Sequence, residues 1–404
     1  TWPIGGEATF HPARLFSGEY EMRENNGGFN AYDASQKLHA YFLQTEMPLL
    51  ANVRFAGGVR VEDSFQKTRT YNTNPTTLQV DYGCNLEGDI GYFRPALIQA
   101  GICDRNNNGV GIEEKTDILP SINLTWEAVK DMNIRAAYTE TVSRPDLREL
   151  SEFAFTPYFG AERVRGNANL DRTYIHNYDL RWEWYLSGTE YVGAGVFLKT
   201  LSSPIELVGQ PVGGDGSRQY AYSNAQKGEI RGLELDFRKR FLQRIEVETN
   251  LFFIKSRVEV QEWLTQQAVA GSALSPLDPT ATLVPTSLER RLQGQSDFVY
   301  NIKALYYIDK EETMSAGFFY NYFSDRIEVA GSEGEPDVIE KGTGILDLVF
   351  QWQPNENWNL KASVENILNA KYESTQEVPI SNTELPFRRY RPGTNYSISA
   401  SYKF

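Results

Sequence analysis

The chain is poor in the residues that build most catalytic and metal centres. Among 404 residues there are 2 Cys, 3 His and 4 Met. His11, His39 and His176 show neither metal-ligand spacing nor a nucleophile–base pair. No catalytic constellation converges, so a hydrolase has little support. Long apolar runs are also missing. Nothing approaches the roughly 20 residues of a membrane-spanning helix, and the hydrophobic fraction is only 41%. Basic charge is in deficit, with 40 Lys and Arg against 53 Asp and Glu, a net charge of −13. A nucleic-acid partner would demand the opposite sign. The opening "TWPIGGEATF" does not read as a signal peptide, so a leader is expected to have been removed or the natural start to lie elsewhere.

Aromatic residues are plentiful: 23 Tyr, 22 Phe and 7 Trp, 13% of the chain. They fall in stretches that alternate with period two. At the end of the chain Tyr396, Ile398, Ala400, Tyr402 and Phe404 alternate with Asn395, Ser397, Ser399, Ser401 and Lys403. In "NYDLRWEWYL", Tyr178, Leu180, Trp182, Trp184 and Leu186 share one face, against Asp179, Arg181 and Glu183. Such segments fit 35–46, 51–65, 117–128, 132–143, 174–187, 190–200, 229–239, 244–257, 296–308, 314–327, 340–352, 358–372 and 388–404, with a weaker one at 3–11. Helical periodicity is scarce.

The connections between these segments alternate, short then long, through the whole chain. Short turns at "EAVKDMN", "LSGTE", "KRFLQR", "DKEET" and "QPNENWN" separate the longer stretches 66–116, 144–173, 201–228, 258–295, 328–339 and 373–387. An antiparallel barrel in a bacterial outer membrane has this pattern, with tight periplasmic turns and long external loops. A soluble sandwich has no reason to gather its long loops at one end. The expected class is therefore all-β, an antiparallel transmembrane β-barrel with 13 or 14 strands in residues 1–404. Lipid then meets the apolar face, and outer-membrane lipid becomes the first partner. Trp126, Trp182, Trp184 and Trp352, with Tyr402 and Phe404, suit the aromatic girdles of such a wall. Glu127, Glu183, Glu234 and Asp236, beside Arg135, Arg181 and Arg238, are expected to face the lumen as a solvated, charge-laced wall.

Several stretches resemble TonB-dependent outer-membrane receptors, especially those with a carboxypeptidase-regulatory-like N-terminal domain. They are "NIRAAYTETVSRPDLRELSEFAF" at 133–155, "VRGNANLDRTYIHNYDLRWEWY" at 164–185, "GEIRGLELDFRKRF", "NLKASVENILNAKYES" and the terminal "YRPGTNYSISASYKF". Their order and spacing fit across 117–404, and 35–62 fits more loosely. The terminal Phe404 resembles the signal that outer-membrane proteins offer to their assembly machinery. The resemblance implies a barrel of 22 strands around a plug, opened by an inner-membrane TonB complex. No plug and no energy-coupling motif is readable near residue 1, so the chain is expected to be the C-terminal portion of such a barrel. The implied function is energised uptake of a scarce solute. A complete passive porin and a barrel that binds another protein are the competing readings.

Three local features are candidate sites. "CDRNNNGVGIEE" places Asp104, Asn106 and Asn108 at alternate positions before Gly109, like the start of a Ca²⁺ loop. Lys115 stands where the closing Glu belongs, and an Asn/Gly-rich turn is the competing reading. Cys84 and Cys103 lie 19 positions apart in one loop, compatible with a disulfide worth about 3 kcal/mol or with two free thiols. The loop 144–173 carries Phe153, Phe155, Tyr158, Phe159, Arg163 and Arg165, and the loop 258–295 carries Trp263. Aromatic and Arg side chains in external loops suit ligand contact, with self-packing of the loop as the alternative.

Overall fold

The computed structural model describes residues 31–73, 80–82, 110–151, 154–157, 162–210, 219–260, 289–331, 336–378 and 383–404. Thirteen strands form one antiparallel meander: β1 (Ala31–Leu50), β2 (Val53–Thr73), β3 (Val110–Val129), β4 (Met132–Ser143), β5 (Thr173–Tyr185), β6 (Tyr191–Ser202), β7 (Lys227–Phe241), β8 (Ile245–Glu259), β9 (Phe298–Tyr307), β10 (Met314–Phe323), β11 (Thr343–Trp352), β12 (Trp358–Glu365) and β13 (Asn395–Tyr402). Each pairs with its neighbours in chain order. All thirteen expected segments therefore appear. Among the described residues, β1 and β13 each pair with a single wall strand.

The alternation read from the sequence is the alternation of the two faces. Ile122, Leu124 and Trp126 on β3 stand on the same face as Tyr138, Ala136 and Ile134 on β4, and these as Tyr178, Leu180 and Trp182 on β5. This apolar face is open: Leu180 is 51% exposed and Ile398 90%. Among the described residues, no protein core covers it. Most buried apolar residues, such as Leu150, Val164, Tyr220, Val329 and Val338, instead lie in the connecting loops, and Leu201 and Val258 lie at the loop ends of β6 and β8.

The short connections are tight. β1 and β2 are joined by Ala51 and Asn52 alone, and Leu242 and Gln243 turn β7 into β8 with positive φ at both (50° and 58°). Positive φ at successive turn residues matches the twist of a hairpin. At the β9–β10 turn the Asp309 carboxylate accepts from the Thr313 hydroxyl and from the Thr313 and Met314 amides, which holds its pKa below the ordinary value of 3.8.

Strand limits differ from the sequence reading where side chains break the ladder. The segment at 358–372 stops at Glu365, because Asn366 (φ 53°) and Asn369 (φ 46°) leave the extended region. Asn366 organises that break: Oδ1 accepts from the Ala370 amide and Nδ2 donates to the Gly393 carbonyl, both at 2.8 Å. The segment at 388–404 accordingly splits, and β13 starts at Asn395. In contrast, β2 and β3 run on well past the expected limits, paired from Val53 and Trp126 to Arg69 and Val110.

Candidate functional site

Described parts of the long connections fold against the wall and against one another. The connection 144–172 does so on the polar face of β2. Pro145 cannot donate a ladder bond and ends β4. Asp146 then caps the short helix α1 (Leu147–Leu150), with Glu149 accepting from the Asp146 amide at 2.9 Å. Three inner-face side chains of β2 grip this turn. Gln66 donates to the Pro145 carbonyl (2.9 Å), Thr68 to the Leu150 carbonyl (3.2 Å), and Thr70 bonds the Ser151 hydroxyl (3.0 Å). Gly166 closes the knot. A Cβ there would sit 1.9 Å from the Ser151 carbonyl oxygen and 2.6 Å from that of Arg148.

A buried ionic cluster anchors the other end of this loop. Arg172 is wholly buried; it bonds Glu113 and Asp117 and donates to Ser64 at 2.9 Å. Arg144 donates to Glu62 and to Asp117, each at 2.6 Å, and the Tyr174 hydroxyl donates to Asp117 at 2.9 Å. Asp117 therefore accepts from three donors reaching it from both ends of the loop. Burial opposes the Arg172 charge, but the Glu113 and Asp117 carboxylates more than offset it and hold its pKa above the ordinary range. Breaking such a pair from one side costs about 3–5 kcal/mol.

Farther along the inner face, Arg181 is a second hub. It bonds Glu183 (3.0 Å), the Tyr191 hydroxyl (2.8 Å) and Asp236, and pairs with Glu234 at 3.2 Å. Arg135 also donates to Glu183, at 2.6 Å. Of the charges expected on this face, Arg135, Arg181, Glu183, Glu234 and Asp236 are thus paired, whereas Glu127 is exposed and the Arg238 Nε is buried without a hydrogen bond.

The middle of the loop 144–172 and the described parts of 203–226, 324–342 and 366–394 build two small sheets. One contains Ile205–Gln210, Gln219–Asn224, Arg163–Arg165 and Ala154–Phe155; the other contains Arg326–Val329, Val338–Glu340, Tyr372–Val378 and Thr383–Tyr390. They meet at a parallel bridge between Val208 and Ala330. Gln293 stitches the seam: it accepts from the Leu207 amide (2.6 Å) and donates to the Leu207 and Glu328 carbonyls. Val164, Tyr220, Val329 and Val338 form a shared apolar cluster.

Phe155 packs against that cluster, and the Arg148 guanidinium lies 4.4 Å from its ring centre. Its position is that of loop self-packing. Arg163 is exposed and Arg165 half-buried, on either side of the buried Val164. Phe153, Tyr158, Phe159 and Trp263 lie outside the described residues, as do Cys84, Cys103 and the candidate Ca²⁺ residues Asp104, Asn106 and Asn108. Trp126, Trp184, Trp352 and Tyr402 are exposed on the apolar face, Trp182 is half-buried, and Phe404 extends beyond β13. Trp126, Trp184 and Trp352 each sit within a few residues of a short turn, and the Tyr402 ring packs on Trp358 at 5.0 Å. They form one belt at the short-turn end. The sequence reading missed Arg144, Arg172 and Asp117 as a cluster, since only the β2–β3 register brings their partners together.

Residues 5–367 match the family model for TonB-dependent receptor-like β-barrels. No curated protein matches the sequence. Among solved structures, the chain is similar to the copper transporter OprC, with a TM-score of 0.57 and 14% identity over 92% of this chain and 49% of that one. It is similar to the ferric yersiniabactin uptake receptor FyuA from Yersinia pestis, with a TM-score of 0.56 and 13% identity over 92% and 46%. The ferric-catecholate import receptor Fiu from E. coli K12 gives a TM-score of 0.55 and 12% identity over 92% and 45%. At these identities the likeness is one of fold, and the chain spans about half the length of each receptor. A family match over most of the chain, on a wall with one apolar and one ion-paired face, places this protein in the TonB-dependent receptor family as part of the β-barrel.

Proposed function

We propose that this wall belongs to an energised outer-membrane importer, which takes up a scarce solute through a plugged barrel when an inner-membrane TonB complex pulls on the plug. The observation that carries the reading is the loop 144–172, tied by Asp117, Arg144 and Arg172 onto the polar face of β2 and β3. A passive pore keeps a water-filled channel along its inner face. Here the two ends of one long connection are fixed to that face, and its middle joins the later loops in two small sheets that meet at Val208 and Ala330. The structural neighbours named above include importers of ferric chelates and of copper, which supports a bound and gated cargo. On this reading the apolar face with its tryptophan belt meets outer-membrane lipid.

The test is energy dependence. A Gram-negative host carrying the full-length protein is offered ferric enterobactin, copper or maltohexaose at limiting concentration. Accumulation of at least one of them, abolished by a protonophore, is the expected result. Free conduction of small ions by the full-length protein in a planar bilayer, with uptake indifferent to the protonophore, would establish the passive channel instead.

A further inference from the structure

At one height of the inner face, four successive strands carry Asp236, Asn250, Asn301 and Asn321. Asp236 on β7 stands opposite Asn250 on β8, Asn250 opposite Asn301 on β9, and Asn301 opposite Asn321 on β10. The amides are bonded head to tail. Asn321 donates to Asn301 Oδ1, Asn301 donates to Asn250 Oδ1 at 3.5 Å, and Asn250 donates to the Asp236 and Glu234 carboxylates. A side-chain amide has two N–H groups and two lone pairs. This chain of bonds uses one of each at Asn301, so a donor and an acceptor remain there side by side.

The next row is set in the same register: Glu248, Lys303, Phe319 and Asp347. Lys303 and Glu248 neutralise one another at 3.1 Å, and Asp347 accepts from the Asn366 amide at 2.7 Å. The Phe319 ring folds over Gly317, where a Cβ would come within 2.8 Å of it. One face of the ring is thereby laid toward the wall. Asn250, Asn301, Asn321 and, opposite it on β11, Ile345 line an open hollow of about 350 Å³ with the second row, within the size range of small-molecule sites.

We propose that this patch is a lumenal subsite for a neutral polyhydroxylated solute, a short glycan segment, with a sugar ring on Phe319 and hydroxyls bonded to Asn301 and Asn321. A hydroxyl both donates and accepts, as does each amide of the row. Neighbouring amides are one strand spacing apart, about 4.8 Å, which suits a chain of linked rings. An anionic chelate is poorly matched. Lys303 is paired with Glu248, and the Arg181 guanidinium beside the row is already shared by Glu183, Glu234 and Asp236, while Asp347 adds a negative charge. The proposal deepens the import reading and rests on it.

The full-length protein in detergent is titrated calorimetrically with maltohexaose, with cellohexaose and with ferric enterobactin. One neutral hexasaccharide is expected to bind, and Phe319→Ala and Asn321→Leu are each expected to weaken it by about tenfold. Asn301→Asp keeps the size of the side chain and removes its donors, so it tests the bond without opening a cavity. Retention of heat-modifiable gel migration shows that each variant is folded. Failure of both hexasaccharides to bind, or wild-type affinity in all three variants, overturns the subsite. Protonophore-sensitive accumulation of ferric enterobactin alongside absent sugar binding would leave the import reading standing and remove only this one.

Discussion

Arg135 and Arg181 face each other in register across β4 and β5, and the Glu183 carboxylate accepts a hydrogen bond from both. Like charges directly opposed on one face of a sheet are destabilising, so the wall is held here by a third residue. Glu183 is largely buried, while Arg135 keeps a side-chain exposure of 47%. Glu183→Gln keeps the shape and removes the charge between two guanidinium groups. A loss of about 1–3 kcal/mol is expected, read as a lower urea midpoint in detergent. Adding Arg135→Gln should recover part of it, since the repulsion disappears with the second arginine. Strictly additive losses would show that the three groups do not act together.

Gly166 lies where the carbonyls of Arg148, Glu149 and Ser151 converge. All three contacts are backbone, so no side-chain rotation makes room for a methyl group. Gly166→Ala must therefore push the loop away from β2 and loosen the bonds of Gln66, Thr68 and Thr70 to it. Hydrogen exchange at Leu150 and Asn167 is expected to rise sharply, with a local cost of about 3 kcal/mol or more, while exchange in β9 to β11 stays unchanged. Unaltered protection at Leu150 would mean that the knot is not built as described.

Glu149 closes the cap of α1 but is partly buried. Burial pushes its pKa above the ordinary 4.5, the Asp146 carboxylate pushes the same way, and the bond from the Asp146 amide opposes them. The charged form is therefore penalised in the folded loop. That penalty is absent below the unfolded pKa and grows as pH rises through the raised folded value, so the loop loses stability on the alkaline side. Glu149→Gln can accept the same capping bond and carries no charge. Protease resistance of the loop should match wild type at pH values below the ordinary carboxylate range, and exceed it at neutral pH. A variant less resistant than wild type at neutral pH would reverse the assigned sign.

The wall was legible in the sequence because its two faces differ. One apolar and one polar face impose period two on "NYDLRWEWYL" and "GILDLVFQWQ" alike, and the short turns leave no room for another order. That alternation placed Glu183 on one face with Arg135 and Arg181, and the β4–β5 register pairs them. The inner-face knot was not legible. Arg172 reads as one more loop arginine until the β2–β3 ladder brings Ser64, Glu113 and Asp117 to it. The loop sheets were also missed, because Arg163–Arg165 and Val338–Glu340 are only three residues each, too short to show a period. Phe155 and Arg163 share a loop, and only tertiary packing separates the ring in the apolar cluster from the exposed guanidinium.

The belt of Trp126, Trp184, Trp352 and Trp358 predicts how the protein sits in lipid. Trp352 on β11 lies eight residues from Gly344, which stands opposite Tyr322 in the second aromatic group, with Tyr300 and Tyr320. At about 3.3 Å per residue this separation is about 26 Å along the strand; at a strand tilt of about 40° it spans about 20 Å of height, most of the roughly 25 Å apolar band of an outer-membrane wall. Tryptophans at the rim should therefore lie near the headgroups. In vesicles of brominated phosphatidylcholine, bromines placed near the carbonyls are expected to quench tryptophan emission more than bromines near the chain ends. Changing both Trp184 and Trp352 to Phe should remove a large share of the quenchable signal. Stronger quenching from the deep bromines would place the belt at the bilayer centre, where a transmembrane wall of this length cannot put it.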